Sequence, residues 1–277
     1  MRVLLVNSPY PLSETPHVAL SLPCLAAVLE EAGEEVQIAD FLVTKYSLQN
    51  IERILKQFKP DIVGATSVTL NYPLACRILK ACKEIDPKLI TIIGGPHVTF
   101  NAEGTLREAP SIDIVVRREG EETIRELIET IEKDGDISEV RGIAFRRDSE
   151  IVMTQERPLI QNLDKLPSPA RHLLPLSRYL ALQAPCGLMT SRGCPYGCIF
   201  CVGHRMVGKK VRFRDPIMVV DEMENIKSIG FGFLSFEDDF FTVNHKHCFS
   251  VCDEIIRRNL SISWGAYARV DLVDRVL

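Results

Sequence analysis

Short apolar, β-rich runs alternate along the first half of the chain with segments whose apolar positions recur at the period of a helix. Residues 2–7, 35–40, 61–67, 88–95 and 112–117 predict strands. Between them residues 22–32 predict a helix stopped by Gly33, residues 48–58 one that ends before Pro60, and residues 73–85 one opened by proline. Residues 101–108 form a short helical stretch, and residues 121–133 begin with acids that suit a helix N-terminus and end at Gly135. Strand–helix alternation of this kind implies a doubly wound parallel sheet with right-handed crossovers. Residues 140–147 and 151–154, joined by Asp148-Ser149-Glu150, read as a hairpin that closes a first domain over residues 1–154. Residues 155–185 hold Pro158, Pro167, Pro169 and Pro175 with little apolar period, so a linker laid over the surface is expected. A second domain, 186–277, begins with a strand before Cys194. A helix then runs from Asp215-Pro216 to Gly230, followed by a strand over 231–236, a helix over 246–258 and a strand over 261–268. That order suits part of a TIM-type barrel, in which sites gather at the carboxyl face.

Composition narrows the classes. The chain has 277 residues, 46% hydrophobic and 25% charged, with a net charge of −4, which supports two globular cores and gives no polybasic signal for nucleic acid or anionic membrane. No apolar run approaches a signal peptide or a membrane span, so a cytoplasmic protein is expected. Nine cysteines, an odd number with three clustered, fit a reducing compartment better than a disulfide framework.

The cluster is Cys194-Pro195-Tyr196-Gly197-Cys198-Ile199-Phe200-Cys201, a C-x3-C-x2-C spacing in a loop after a strand-like run. Three thiolates suit a soft metal or an iron–sulfur cluster, and three ligands leave a four-iron cubane with one iron that no residue of the motif holds. A structural zinc site completed by His204 is the alternative, in a non-catalytic interaction module; it would crowd four ligands into a very short stretch. Cys248 and Cys252 share a helical face without a further ligand nearby and read as core.

Polar and small residues collect where the predicted strands end, which is where doubly wound sheets bind ligands. They are Asn7, Ser8 and Pro9; Thr66, Ser67 and Val68; Gly94, Gly95, Pro96 and His97; and Glu119, Gly120 and Glu121. Singly, each reads as a turn or a helix cap. In the second domain Glu237-Asp238-Asp239 follows the second strand, and three adjacent carboxylates there favour a cationic partner.

The cysteine loop resembles the signature of radical S-adenosylmethionine (SAM) enzymes, and residues 1 to 135, through 61–67, 94–97 and 118–122, resemble the cobalamin (B12)-binding domain found before such domains. The resemblance implies a 4Fe-4S cluster on Cys194, Cys198 and Cys201, with SAM on the open iron. Phe200 would lie beside the adenine, Glu237 and Asp238 would hold the SAM amino group with Asp239 positioning them, and Arg269 would meet the SAM carboxylate. Cobalamin would lie over the strand ends of the first domain, with His97 as a hydrogen-bonding partner. No Asp-x-His-x-x-Gly run supplies a lower cobalt ligand, and Arg118 stands where a glycine is common. The implied activity is reductive SAM cleavage, most often for methylation of a small-molecule substrate at an unactivated position, with radical cyclisation or rearrangement next. A one-electron donor such as flavodoxin or ferredoxin would be a partner. Only three strand-like segments follow the linker, fewer than a radical SAM barrel has, so the resemblance also implies an incomplete barrel that aggregates or needs a further segment or partner to close it.

Overall fold

The computed structural model describes residues 1–10, 16–273 and 275. The chain divides into two compact units. One comprises Met1–Glu14, Ser21–Pro158 and Pro169–Pro175; the other comprises Thr15–Leu20, Leu159–Ser168 and Leu176–Leu277.

The first unit is a seven-stranded sheet in the order β2-β1-β3-β4-β5-β6-β7, from β1 (Arg2–Asn7), β2 (Glu35–Asp40), β3 (Ile62–Thr66), β4 (Ile90–Gly94), β5 (Ile114–Val116), β6 (Ile143–Arg147) and β7 (Glu150–Met153). β2 through β5 in that order are parallel, and the β6–β7 hairpin adds antiparallel to β5. The helices are α1 (Ser21–Glu31), α2 (Leu48–Phe58), α3 (Tyr72–Ile85), α4 (Pro96–Phe100), α5 (Ala102–Glu108) and α6 (Glu121–Glu132). Val3, Leu4, Leu5 and Val6 are all buried because both faces of β1 are covered, as parallel sheets require. Leu4 and Val6 join one core cluster with Ile51 and Leu55 of α2 and with Ile78, Leu79 and Cys82 of α3. The buried faces of α1 and α6, which pack on one another, lie outside that cluster.

Local chemistry explains the helix ends. Ser47 accepts a hydrogen bond from the Asn50 amide at the start of α2, and Lys59 closes that helix in the left-handed region. The Arg146 guanidinium donates to the carbonyls of Leu106, Ala109 and Ile112, tying β6 to the end of α5.

The second unit is built on a parallel sheet in the order β12-β11-β8, from β8 (Cys186–Leu188), β11 (Phe233–Phe236) and β12 (Ser263–Ala266). An antiparallel ribbon of β9 (Ser191–Arg192) and β10 (Arg212–Phe213) stands beside it. Its helices are α7 (Leu176–Ala181), α8 (Gly203–Val207), α9 (Pro216–Ile229) and α10 (His245–Arg257). Asp215 caps α9 by accepting from the Ile217 amide, and Gly230 (φ 112°) ends it. The Arg258 guanidinium joins α9 to α10 through Asp221, Glu224 and Glu254. Val18 forms a parallel bridge to Cys186 at the β8 edge, its amide donating to the Pro185 carbonyl.

The strands are shorter than the apolar runs suggest. Residues 61–67 contribute a strand only to Thr66 and residues 88–95 only to Gly94, because the Ser67 carbonyl turns to accept from the His97 amide and Gly95 takes φ 101° and opens α4, its carbonyl accepting from the Thr99 amide. Phe231 belongs to the end of α9, where its amide donates to the Ile226 carbonyl. The proline-rich stretch is not merely a surface linker: Ile160, Leu163, Ala170, Leu174 and Tyr179 are buried, and α7 forms within it. Prolines erase the period by which such isolated core residues would be noticed. Near the end of the chain a 3-10 turn covers Val270–Leu272, and residues 274, 276 and 277 lie outside the described residues. Among the described residues no helix is long and apolar enough to cross a membrane.

His247 on α10 stacks on Phe213 at 4.6 Å, and its Nε2 is buried with no hydrogen-bond partner among the described residues. Burial lowers its pKa from 6.5, while the charge of Asp164 pulls the other way. As pH falls the unfolded chain therefore takes up this proton first, and the folded state loses stability below about pH 6.5. The thermal midpoint of the wild type should fall more steeply from about pH 7 to about pH 5.5 than that of a His247→Phe variant. Parallel slopes would show that His247 is not the group responsible.

Candidate functional site

In the first unit, the carboxyl ends of β1, β3 and β4 carry the polar residues. The Asn7 amide donates to Asp40 at 2.9 Å, with both side chains buried, so the turn after β1 is pinned to the end of β2. Next to it the Ser8 hydroxyl is fully buried and has no hydrogen-bond partner among the described residues. A buried unpaired hydroxyl is costly, so this one fits a polar ligand group. Pro9 is half-buried.

The ends of β3 and β4 form one hydrogen-bonded piece. Ser67 donates from its amide and its hydroxyl to the Gly94 carbonyl, at 2.9 and 3.2 Å, and its own carbonyl accepts from the His97 amide. Gly95 has φ 101°, and a Cβ there would lie 2.4 Å from the Ser67 carbonyl oxygen. Only glycine permits this approach. At Gly94 a Cβ would meet nothing nearer than the Val116 carbonyl at 3.6 Å. Pro96 opens α4, and the His97 ring lies 4.1 Å from that of Tyr72 with its Nδ1 3.2 Å from the Thr69 hydroxyl. Half-buried Thr66 and Val68 flank Ser67, and the Val68 amide donates to Asn71. After β5, Arg118 takes φ 60°, the backbone region glycine enters without strain. Its amide donates to the Thr99 hydroxyl of α4 and its guanidinium pairs with Glu156. Glu119 and Gly120 precede α6, whose first-turn residue Glu121 is buried.

In the second unit β8 leads through Thr190 into β9 and then the cysteine loop. Gly193 has φ 115°, and a Cβ there would lie 2.4 Å from the Lys210 carbonyl, so glycine is required just before Cys194. The Cys194 amide donates to the Gly208 carbonyl, the Cys201 amide to the Cys198 carbonyl, and the Gly203 amide to the Cys201 sulfur at 3.3 Å. The Cys194 thiol lies within reach of the charges of the other two. Partial burial raises the Cys194 pKa, and the charges of Asp239, Cys201 and Cys198 raise it further. This is a soft-sulfur donor set of the kind that iron–sulfur clusters use. Among the described residues no three His, Cys, Asp or Glu side chains close on a point the size of a single metal ion. Phe200 is 89% exposed.

The acidic turn divides its side chains. The Glu237 amide donates to the Leu188 carbonyl at 2.8 Å, and its exposed side chain passes Gly187, where a Cβ would lie 3.1 Å from Glu237 Cγ. Asp238 is buried and accepts from the Thr190 amide (2.6 Å), the Thr190 hydroxyl (2.6 Å) and the Ser191 hydroxyl (2.7 Å). Burial pushes its carboxyl above the usual carboxylate range while these donors pull it down. Asp239 accepts from the Gly193 amide at 3.0 Å. The Arg269 guanidinium lies over the Tyr196 ring at 4.1 Å, pairs with Asp271 at 2.9 Å and points one nitrogen at the Cys198 sulfur, 3.7 Å away.

A family model of the B12 binding domain matches residues 13–128. Among curated proteins, an uncharacterized methyltransferase of Pyrococcus horikoshii is 38% identical over 254 residues, covering 91% of this chain and 55% of the relative. The anaerobic magnesium-protoporphyrin IX monomethyl ester cyclase of Rubrivivax gelatinosus is 33% identical over 255 residues, covering 89% of this chain and 46% of the relative. The chain thus spans about half the length of the curated relatives it matches. Among solved structures, the cobalamin-dependent SAM radical enzyme OxsB, with aqua-cobalamin and SAM bound, superposes with a TM-score of 0.83 at 24% identity, over 100% of this chain and 40% of that one. The chain belongs to the B12-binding-domain-containing radical SAM family.

Several residues that shape the sites of this radical SAM family member escape a reading by motif. Asp40, Thr99, Thr190 and Ser191 act through hydrogen bonds to residues distant in sequence, and Gly187 and Gly203 act by leaving room. Tyr196 is visible in the sequence as part of the cysteine loop, yet its stacking on Arg269 has no sequence signal. Because the two adjacent glycines have different surroundings, Gly95→Ala should destabilise the first unit by roughly 2 kcal/mol or more, while Gly94→Ala should change it by less than about 1 kcal/mol. Denaturant unfolding checks this, and equal losses would remove the distinction.

Proposed function

We propose that the chain carries the cofactor-binding portion of a cobalamin-dependent radical SAM methyltransferase that acts on a small molecule. The single observation behind this reading is the loop that carries Cys194, Cys198 and Cys201 beyond the carboxyl end of β8, with the exposed Glu237 carboxylate at the end of the next strand of the same parallel sheet. When bound, a 4Fe-4S cluster supplies the electron that cleaves SAM and cobalamin carries the methyl group.

The chain's own residues bind and orient. Cys194, Cys198 and Cys201 would ligate the cluster, and Phe200 would flank the adenine. Glu237 would receive the SAM ammonium, and Arg269, already turned toward Cys198, would receive the SAM carboxylate. In the first unit the buried Ser8 hydroxyl, together with Thr66, Ser67, Gly94 and His97 at neighbouring strand ends, would take the polar groups of cobalamin. A one-electron donor of the flavodoxin or ferredoxin type would reduce the cluster.

Anaerobic reconstitution with iron, sulfide and cobalamin should give protein that retains corrinoid on gel filtration and forms 5′-deoxyadenosine from SAM. In Cys198→Ala, iron and acid-labile sulfide should drop to background while the first unit keeps its unfolding transition, since two thiolates cannot anchor the cubane. Unaltered iron content in that variant would remove the cluster assignment. The cyclase name of the relative at 33% identity supports a second outcome, radical ring closure. SAM labelled in its methyl group separates the two: label in the product is expected for methyl transfer, and an unlabelled cyclised product for the other.

A further inference from the structure

The three carboxylates of the Glu-Asp-Asp turn are not equivalent. The chain bends at Asp238 and Asp239 just beyond β11, and the bend parts the neighbouring side chains: Glu237 and Asp239 are exposed, and Asp238 is 3% exposed. Both Asp238 oxygens are occupied, one by the Thr190 amide and the other by the hydroxyls of Thr190 and Ser191. Those two residues join β8 to the cysteine loop. Asp239 meets the same segment two residues on, at the Gly193 amide, and the loop's far end also lies beside it, because a Cβ on Gly203 would be 3.3 Å from both Asp239 Oδ1 and Cys201 Sγ. A carboxylate with three short hydrogen bonds from buried donors is held firmly and has little left to offer a mobile cation.

We propose that Asp238 is a positioning residue that fixes the direction in which the chain enters the cysteine loop, with Asp239 bracing the loop's two ends, and that Glu237 is the carboxylate of this turn that meets SAM. The inference rests on the cluster reading above. Ligand supports of this kind act through the geometry of the ligands they hold, and their loss weakens metal retention while the ligands themselves remain.

The test compares anaerobically reconstituted wild type with Asp238→Ala, Asp238→Asn and Glu237→Gln. It reads iron and sulfide per chain, the rate at which a chelator strips iron, and the change SAM induces in the EPR spectrum of the reduced cluster. Asp238→Ala should lose iron to the chelator about tenfold faster than wild type. In Asp238→Asn the amide oxygen still accepts from the Thr190 amide and the hydroxyls can turn to accept from the new NH2, so iron retention and the SAM-induced change should both persist. Glu237→Gln should keep its iron and lose the SAM-induced change. If Asp238→Ala does not fold, the pair Thr190→Val and Ser191→Ala removes the same hydroxyl bonds from the other side and should speed iron loss in its place. Iron retention unchanged in whichever of these folds overturns the proposal, as does an Asp238→Asn protein that keeps its cluster and no longer responds to SAM. Wild-type protein that takes up no cluster overturns the underlying reading instead.

Discussion

A parallel strand covered on both faces has no side chain to spare for solvent chemistry. In β1 every residue from Val3 to Val6 is core, and β11 buries Leu234 and Phe236. Polar function is therefore pushed to the place where each strand stops, and the direction shared by all parallel strands puts those stops on one edge of the sheet. The first unit obeys this constraint on both faces of its strands and β11 on one, since Phe233 is exposed, and in both units the candidate residues come in short bursts at strand ends. The turn chemistry follows: left-handed Gly95 and Gly193, and left-handed Arg118, are the points at which chains leaving a sheet reverse within a residue or two.

The same edge must manage charge. Three carboxylates in a row and three thiols nearby would repel one another if all faced the same volume. The fold separates them at a bend, sending Asp238 inward to hydroxyl and amide donors, while Arg269 brings a cation toward Cys198, steadied by Asp271 and by the Tyr196 ring.

Much of the architecture was legible because it rests on period. The helix over residues 48–58 has the extent its apolar spacing indicates, and the cap at Asp215 with Pro216 marks α9 to the residue. The cysteine loop is legible because its ligands are consecutive in the chain. Contacts between distant positions carry no such signal. The partnership of Asp238 with Thr190 and Ser191 spans more than forty residues of sequence, and the difference between Gly94 and Gly95 depends on how close Ser67 approaches one of them. Arg118 shows the reverse case. It stands where a glycine is common, and the position asks for a backbone angle, φ 60°, while the side chain is carried off to Glu156.

The bridge from Val18 to Cys186 bears on how this chain can be divided. Val18, which in sequence lies between β1 and α1 of the first unit, belongs to the second, where it pairs with the edge strand, and the stretch Pro169–Pro175 returns to the first unit after the second has begun, its Ala170 amide donating to the Pro23 carbonyl. Neither unit is therefore a contiguous piece of sequence. A single cut near residue 185 would leave the strand that leads to the cysteines without the neighbour on its outer side, exposing backbone donors and acceptors of the sort that recruit foreign strands. During synthesis, that neighbour emerges from the ribosome about 170 residues before the strand it covers. The protein is thus interleaved in sequence though divided in space, and its halves would be recombined or swapped with relatives only by exchanging several segments at once.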